Sequence, residues 1–250
     1  MEKIIKSYAD QSFHKKISLI IKKLSKNKED IRNEVKKIID FKLYHRLLDL
    51  GCGYGWFLEA LPEGFDFIMG VDYNDENESA FLSLAQKKAK KALFKKLFLP
   101  SKIDMPSCYF DMIVSAYSLY FFPDMLQEIK RLLDPKGVFI VITHSSHMLE
   151  EGERFFKFDN LRKLIESFSA ENGYNILKQY FDHVEYYDYP NELIFHEKDS
   201  HALEQYIDFK SAFIEQDVDP ETVKVKLLKE LKEKKFLSFN KNDKIFIARP

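Results

Sequence analysis

A glycine loop that follows a short apolar run is the first place where this chain could do chemistry. Residues 47–55, Leu-Leu-Asp-Leu-Gly-Cys-Gly-Tyr-Gly, contain three of the eight glycines in the chain. Glycine lets a backbone turn sharply and approach a ligand, and a helix start behind such a loop offers N–H groups to it. Dinucleotide-binding loops read G-x-G-x-x-G, but Trp56 stands here where their third glycine would be. The loop therefore predicts a nucleotide-like ligand other than a dinucleotide.

Two aspartates flank this loop and indicate what the ligand carries. Asp49 lies two residues before the first glycine, where a carboxylate would repel a pyrophosphate but could bind an ammonium group. Asp72 ends the next apolar run, and at this distance from the loop a carboxylate can accept both hydroxyls of an adenosine ribose. A turn or helix cap is the alternative role for an isolated aspartate. Loop and acids together favour a ligand with an amino group and a ribose.

The elements that must position these residues alternate between apolar runs and helical patterns. This alternation predicts a parallel sheet covered by helices on both faces. The predicted strands are 46–50, 67–71, 96–99, 110–115, 138–143, 183–189 and 244–248. The predicted helices are 4–24, 30–41, 56–61, 79–93, 125–133, 171–180 and two within 199–235.

Residues 46–145 resemble the core of class I, Rossmann-like methyltransferases that use S-adenosylmethionine (SAM), in a small-molecule subgroup of unassigned substrate. Residues 47–55 resemble the first motif of that family and Gly70-Val-Asp72 the second, while residues 110–143 resemble its fourth strand, helix and fifth strand. The stretch 168–206 is similar to the C-terminal half of many unassigned members. The resemblance implies an α/β fold: a seven-stranded, mostly parallel Rossmann-like sheet with helices on both faces and a helical cap. S-adenosylhomocysteine (SAH) would be the product.

One methyltransferase domain over residues 1–250 is the simplest organisation, because no internal repeat or Pro/Gly/Ser-rich linker interrupts the chain. Within it we expect N-terminal helices in 1–42, the SAM-binding core in 43–195, an inserted helical cap in 196–240 and a closing strand in 241–250. The cap would cover the acceptor pocket, with Tyr206 and Phe209 on its aromatic face. The alternative is that this face packs only on the sheet.

The resemblance implies roles for individual residues. Asp49, Gly51 and Gly53 would meet the methionyl end of SAM, while Asp72 would hold the ribose and Tyr73 would pack beside the adenine. The other residues predicted to bind the cofactor are Cys52, Tyr54, Asp104 and Ser115.

Two stretches depart from the family pattern. Many relatives place an acid before the fourth strand to receive the adenine amino group, but residues 98–106 read Phe-Leu-Pro-Ser-Lys-Ile-Asp-Met-Pro. That acid is therefore missing or displaced to Asp104. Many relatives also have Leu-His-His after the fourth strand, whereas this chain has Leu119-Tyr-Phe121. Roles of those histidines cannot be transferred.

The sequence says less about the methyl acceptor than about the cofactor. His144 follows the fifth strand and is the candidate general base, although a histidine at a strand end commonly has a structural role. Tyr8 and Tyr117 are candidates to line the acceptor pocket. The stretch 115–118 lacks the Asn/Asp-Pro-Pro-aromatic pattern of base-amine methylation, and neither cysteine is placed to attack cytosine. We expect transfer to an O, N or S atom of a small molecule; RNA or protein methylation and a non-catalytic SAM-binding module are the alternatives.

Composition sets outer limits on the partners. The net charge is −1, which makes nucleic acid an unlikely partner, although seven lysines and no acid fall within 79–103. No apolar run approaches the ~18 residues that span a bilayer. No metal ligand set is expected. Two cysteines give no disulfide framework, so we expect a cytoplasmic monomer or homodimer without a signal peptide.

Overall fold

The computed structural model describes residues 11–155, 159–213 and 218–250. Within these described residues the strands are β1 Arg46–Leu50, β2 Phe65–Asp72, β3 Ala89–Lys96, β4 Phe110–Ala116, β5 Leu133–His144, β6 His183–Tyr189, β7 Glu192–His196, β8 Phe236–Asn240 and β9 Asp243–Arg249. Its α-helices are α1 Gln11–Leu24, α2 Ile31–Ile38, α3 Glu78–Lys88, α4 Leu126–Leu132, α5 Asp159–Glu166, α6 Gly173–Leu177, α7 Ser200–Lys210 and α8 Pro220–Lys234.

Contacts divide the chain into two compact units. The first, the sheet unit, comprises residues 29–144, 166–189 and 243–250; the second comprises the chain up to residue 28 together with 145–165 and 190–242. The described residues of 196–240, which the sequence predicts as an inserted cap, all fall in the unit that also holds α1.

A seven-stranded sheet forms the centre of the sheet unit, in the order β3-β2-β1-β4-β5-β9-β6. Strands β1 to β5 pair in parallel, and β9 is antiparallel to β5 and β6. The predicted seven-stranded, mostly parallel sheet is confirmed. Because the chain turns from β1 to β2 on one side and later to β4 on the other, the connections on either side of β1 diverge, and ligands bind at such points.

Burial explains why these segments become strands. Leu47, Leu48 and Leu50 of β1 and residues 138–142 of β5 are completely buried, as expected for parallel strands covered on both faces. Ile31 and Val35 of α2 belong to the same apolar cluster as β1 and β5. The hydrophobic core therefore lies directly under the strand ends where the glycine loop begins.

The third strand differs most from the sequence prediction. A helix was expected to continue to residue 93 and a strand to begin at 96, but the helix ends at Lys88 and β3 occupies Ala89–Lys96. The register pairs Ala89 with Phe65 and then residues 91–96 one by one with residues 67–72 of β2. Backbone pairing at the sheet edge here outweighs the helix propensity of alanine, leucine and lysine.

Other boundaries also moved. Residues 56–61 form only a short 3-10 helix at Phe57–Ala60, and the predicted helix at 171–180 is limited to Gly173–Leu177. Strands β7 and β8 were not predicted; they pair with each other in a separate antiparallel sheet. Both helices expected within 199–235 are present as α7 and α8. Tyr8 lies outside the described residues.

An aromatic cluster holds the second unit together. Tyr206 and Phe209 are 4 % and 5 % exposed, so both are core residues of this unit. The Tyr206 ring lies 5.8 Å from that of Phe195, and the Phe209 ring lies 6.2 Å from that of Phe13. The Lys210 ammonium is 5.4 Å from the centre of the Phe209 ring, a cation–π distance.

Phe209→Ala should therefore lower the free energy of unfolding by about 3–5 kcal/mol, because it leaves a cavity among packed rings. Urea unfolding followed by circular dichroism measures this. Val225→Ala is the matched control: Val225 of α8 is 66 % exposed, and its loss should change stability by less than about 0.5 kcal/mol. Equal stabilities for the two variants would contradict the assignment of Phe209 to the core.

Candidate functional site

The glycine loop leaves β1 in a conformation that side chains rarely adopt. Gly51 and Gly53 have φ of +65° and +50°, and the N–H of Gly51 donates to the Val71 carbonyl at 2.8 Å. A Cβ on Gly51 would lie 2.5 Å from Cβ of Ser118, whereas one on Gly53 would meet nothing within 4 Å. Glycine is thus required at 51 for backbone packing, while the loop has an open side at 53.

Asp49 is a buried acid on β1, directly before this loop. It is 2 % exposed, and its Oδ2 atom has no hydrogen-bond partner among the residues that the structure describes. Burial, together with the nearby charge of Asp72, raises its pKa to about 8. A cationic group on a bound ligand would stabilise the charged form of this buried carboxyl.

Asp72 lies at the end of β2 and is tied to the glycine loop. Its Oδ2 accepts the N–H of Gly53 at 2.8 Å and its Oδ1 accepts the N–H of Asn74 at 2.9 Å. Burial raises its pKa, and these backbone hydrogen bonds act in the opposite direction. The Asn77 side chain and the backbone of Tyr73 also donate to this carboxylate, so several donors surround it at the end of β2.

The other loop residues differ in their surroundings. Cys52 is buried, and its Sγ lies 2.7 Å from where a Cβ on Gly70 would stand. Burial and the charges of Asp49 and Asp72 raise the pKa of this thiol, so it is not a nucleophile. Tyr54 is also buried. Tyr73 is partly exposed, and burial followed by the charge of Asp72 raises its pKa to about 12.

Two serines tie β4 to β1 beneath the loop. Ser115 is completely buried, and its Oγ lies 2.6 Å from Oγ of Ser118. The Ser118 hydroxyl donates to the Leu50 carbonyl at 2.7 Å. Ser115 thus supports the loop through Ser118. Asp104 is exposed, in the connection between β3 and β4.

A second polar cluster lies at the ends of β4, β5 and β9. Asp243 accepts a hydrogen bond from the Tyr117 hydroxyl at 2.7 Å on one oxygen, and its other oxygen lies 2.7 Å from His144 Nδ1. The rings of Tyr117 and His144 stack with their centres 4.5 Å apart. Burial and the Asp243 charge raise the pKa of Tyr117 well above its ordinary value, so its hydroxyl stays a donor. A carboxylate that holds Nδ1–H keeps the basic lone pair of the imidazole on Nε2.

Sequence reasoning did not identify Asp243. Its partner His144 lies 99 residues earlier, and an acid that precedes an apolar strand carries no distinctive signal. The pairing follows only from the register of β9, in which Asp243 lies opposite His144.

Three further residues were predicted to line the acceptor pocket, namely Tyr206, Phe209 and Tyr8. Tyr206 and Phe209 belong to the core of the second unit, and Tyr8 lies outside the described residues. Within residues 11–155, 159–213 and 218–250, no cluster of side chains could hold a metal ion. No helix in that same part of the chain is long and apolar enough to cross a membrane.

Asp49 makes stability without ligand depend on pH. Its pKa is 3.8 in the unfolded chain and about 8 in the folded one, so the folded state keeps a proton that the unfolded state loses, and stability falls as pH rises between these values. Asp49→Asn should remove this slope and stabilise the ligand-free protein at pH 8 by at least about 1 kcal/mol. Urea unfolding near pH 5 and pH 8 measures both effects.

The exposed Asp66 is a suitable control, since its bond to Lys90 lowers its pKa and keeps it charged in this range. Asp66→Asn should leave the slope unchanged. Parallel pH dependences in the wild type and Asp49→Asn would contradict a raised pKa at Asp49.

Comparison with known proteins identifies the family. A family described as a methyltransferase domain matches residues 8–208. The uncharacterized methyltransferase YcgJ of Bacillus subtilis is 27 % identical over 111 residues, a match that spans 43 % of this chain and 44 % of YcgJ. This chain therefore matches less than half the length of that curated relative.

Solved structures show the same fold. The structure of the YcgJ protein covers 88 % of this chain and 98 % of its own, with a TM-score of 0.58 and 20 % identity. A "putative methyltransferase" of Bacillus halodurans covers 87 % of this chain and 97 % of its own, with a TM-score of 0.59 and 13 % identity. The match to this family over residues 8–208 is consistent with the observed order of the strands. It is also consistent with the glycine loop and its two acids. The chain belongs to the methyltransferase-domain family, and it shares the fold of these two solved structures.

Proposed function

We propose that the glycine loop and its two acids hold SAM, and that the enzyme methylates an O, N or S nucleophile of a small molecule. Asp49 would bind the ammonium group at the methionyl end of SAM. Asp72 would bind the ribose hydroxyls, and Tyr73 would pack beside the adenine. The unpartnered buried Oδ2 of Asp49 and the open side of Gly53 support this placement. A cationic, hydroxyl-bearing ligand would satisfy acids that are otherwise costly to bury.

His144 is the general base in this proposal. When bound, SAM supplies a methyl group that its sulfonium already activates, so the protein has to align the acceptor and take its proton. The observation that supports this role most strongly is the 2.7 Å contact between His144 Nδ1 and Asp243. Asp243 would fix the tautomer of the His144 imidazole, and the hydroxyl of Tyr117 would hold the Asp243 carboxylate in place. Asp243 is then a positioning residue and His144 the proton acceptor.

The lysine-rich stretch gives limited support to an RNA or protein acceptor. Lys90 pairs with Asp66 at 2.8 Å and Lys96 with Asp75 at 2.7 Å, both at the edge of the sheet. These pairs neutralise part of the positive charge that a polyanion would need. We therefore favour the small molecule and retain the macromolecule as an outcome of the test.

The cap over the acceptor pocket also stays a proposal. In this proposal Tyr206 and Phe209 belong to the substrate pocket. A cytoplasmic monomer or homodimer is consistent with two free cysteines, of which Cys52 is buried.

Transfer of a labelled methyl group identifies the class of molecule that serves as the acceptor. The enzyme is incubated with SAM labelled in its methyl group and with separate metabolite, RNA and protein fractions of a bacterial extract. We expect label in the metabolite fraction, and at equal incubation time much less of it when His144→Gln replaces the wild type. Label only in RNA or protein would overturn the small-molecule proposal.

Asp72→Ala should weaken SAM binding by about 1.5–3 kcal/mol, since the ribose hydroxyls lose charge-assisted hydrogen bonds. Isothermal titration with SAM and SAH measures this. Asp75→Ala is the control, because Asp75 pairs with Lys96 on the exposed surface and should not alter affinity. An unchanged affinity in Asp72→Ala would show that another residue holds the ribose.

His144→Gln should slow methyl transfer by about 10²–10⁴-fold while leaving SAM affinity intact, because a general base contributes this much to the rate. The acid limb of its pH–rate profile should disappear. Asp243→Asn should give an intermediate rate. If His144→Gln keeps the wild-type rate and profile, the acceptor needs no base from this residue.

A further inference from the structure

Strand β6 forms one edge of the seven-stranded sheet. Its single neighbour in the strand order is β9, and the two strands pair from His183 to Tyr189. Within the described part of the chain, no backbone hydrogen bond joins residues 183–189 to any segment other than β9. The outer side of an edge strand presents N–H and carbonyl groups that can pair with another strand. The edge at β6 is therefore open to such pairing.

The two edges of the sheet differ in the side chains that protect them. Strand β3, at the opposite edge, carries lysines at positions 90, 91, 95 and 96. Lysines on an edge strand oppose association between sheets. Strand β6 reads His-Val-Glu-Tyr-Tyr-Asp-Tyr and contains neither lysine nor arginine. Its Tyr186 and Tyr187 are 49 % and 38 % exposed, so this edge lacks the protection that β3 has.

Exposed aromatic rings lie on both faces of this edge, because successive side chains of a strand point to opposite faces. On one face the Tyr186 ring lies 5.7 Å from the exposed ring of Tyr174, and the Lys244 ammonium is 4.5 Å from the centre of the Tyr186 ring. On the other face the Tyr187 hydroxyl donates to Glu185 at 2.8 Å. Tyrosine is enriched at protein interfaces, because it has both an apolar ring and a polar hydroxyl.

The charges of β6 make the strand complementary to a second copy of itself. When two copies of an edge strand pair antiparallel about a twofold axis, the residue on the axis faces its own copy. An axis at Glu185 or at Asp188 would place two carboxylates directly opposite each other, which is unfavourable. Tyr186 is the middle residue of the strand, and an axis there keeps all seven residues paired. It also places Glu185 opposite Tyr187 of the second copy and Asp188 opposite Val184.

We propose that β6 pairs antiparallel with β6 of a second copy of this chain, with Tyr186 at the twofold axis. The two seven-stranded sheets then form one continuous sheet. Such an interface uses the same surface of both copies, so association ends at the dimer. The outer edges of the joined sheet are the two β3 strands with their lysines. This difference between the edges is what a protein needs if it is to dimerise without forming longer assemblies.

Sedimentation equilibrium of the full chain without ligand, from about 1 to 200 µM, tests the proposal because micromolar dimers dissociate in this range. We expect the wild type to approach twice the mass of one chain. Tyr186→Lys should weaken the dimer at least about tenfold, since it removes an aromatic pair and places two ammonium groups opposite each other. Leu93→Lys is the matched control, because Leu93 is an exposed apolar residue of the other edge strand, β3. This variant should dimerise like the wild type.

Hydrogen exchange of the wild type covers the case in which Tyr186→Lys does not fold. Amides within 183–189 should exchange more slowly at 200 µM than at 1 µM, while those within 89–96 should be unaffected by concentration. The proposal is overturned if the wild type keeps the mass of one chain throughout, or if a folded Tyr186→Lys dimerises as tightly as the wild type. It is also overturned if Leu93→Lys is the variant that dissociates, or if exchange in 183–189 does not change with concentration.

Discussion

Parallel pairing of β1 with both β2 and β4 is the constraint on which the rest of the site depends. In this register Asp49 lies opposite Gly70 on one side and Val114 on the other. The carboxyl ends of three strands therefore meet at one edge, and each strand releases its chain there into a loop. The glycine loop, Asp72 and the serine pair under Gly51 are neighbours for this reason, although they are far apart in the sequence. Without this pairing, none of their hydrogen bonds could form.

The site shows the conflict between stability and ligand binding that functional positions often carry. Asp49 is buried with an oxygen that no described residue satisfies, and its neighbour Asp72 is a second acid. Two buried carboxyls destabilise the ligand-free fold, whereas an apolar side chain at the position of Asp49 on β1 would not. The backbone hydrogen bonds to Asp72 offset part of this cost, whereas Asp49 Oδ2 has no such partner among the described residues. This uncompensated burial is the observation on which the proposed cation site at Asp49 rests.

Sequence patterns predicted the features that depend on neighbouring residues. The buried strands β1, β4 and β5 are nearly continuous apolar runs, and the glycine loop with Asp49 follows from local spacing. Strand β3 was misplaced because its lysines and alanines look helical, and only its pairing with β2 makes it a strand. Asp243 was missed because its pairing with His144 depends on a contact between distant segments. Local chemistry was thus readable from the sequence, while contacts across the sheet were not.

The place of β9 in the sheet has a consequence for how the protein is made. This strand inserts between β5 and β6, although both leave the ribosome before it. Until residues 243–249 emerge, β5 and β6 have no common neighbour and His144 lacks its carboxylate partner. The strands that carry the glycine loop and its two acids, in contrast, lie on the side of the sheet that is complete once β5 has emerged. A nascent chain could therefore assemble its glycine loop and acids during translation, whereas the polar cluster around Asp243 has to wait for the final strand of the sheet.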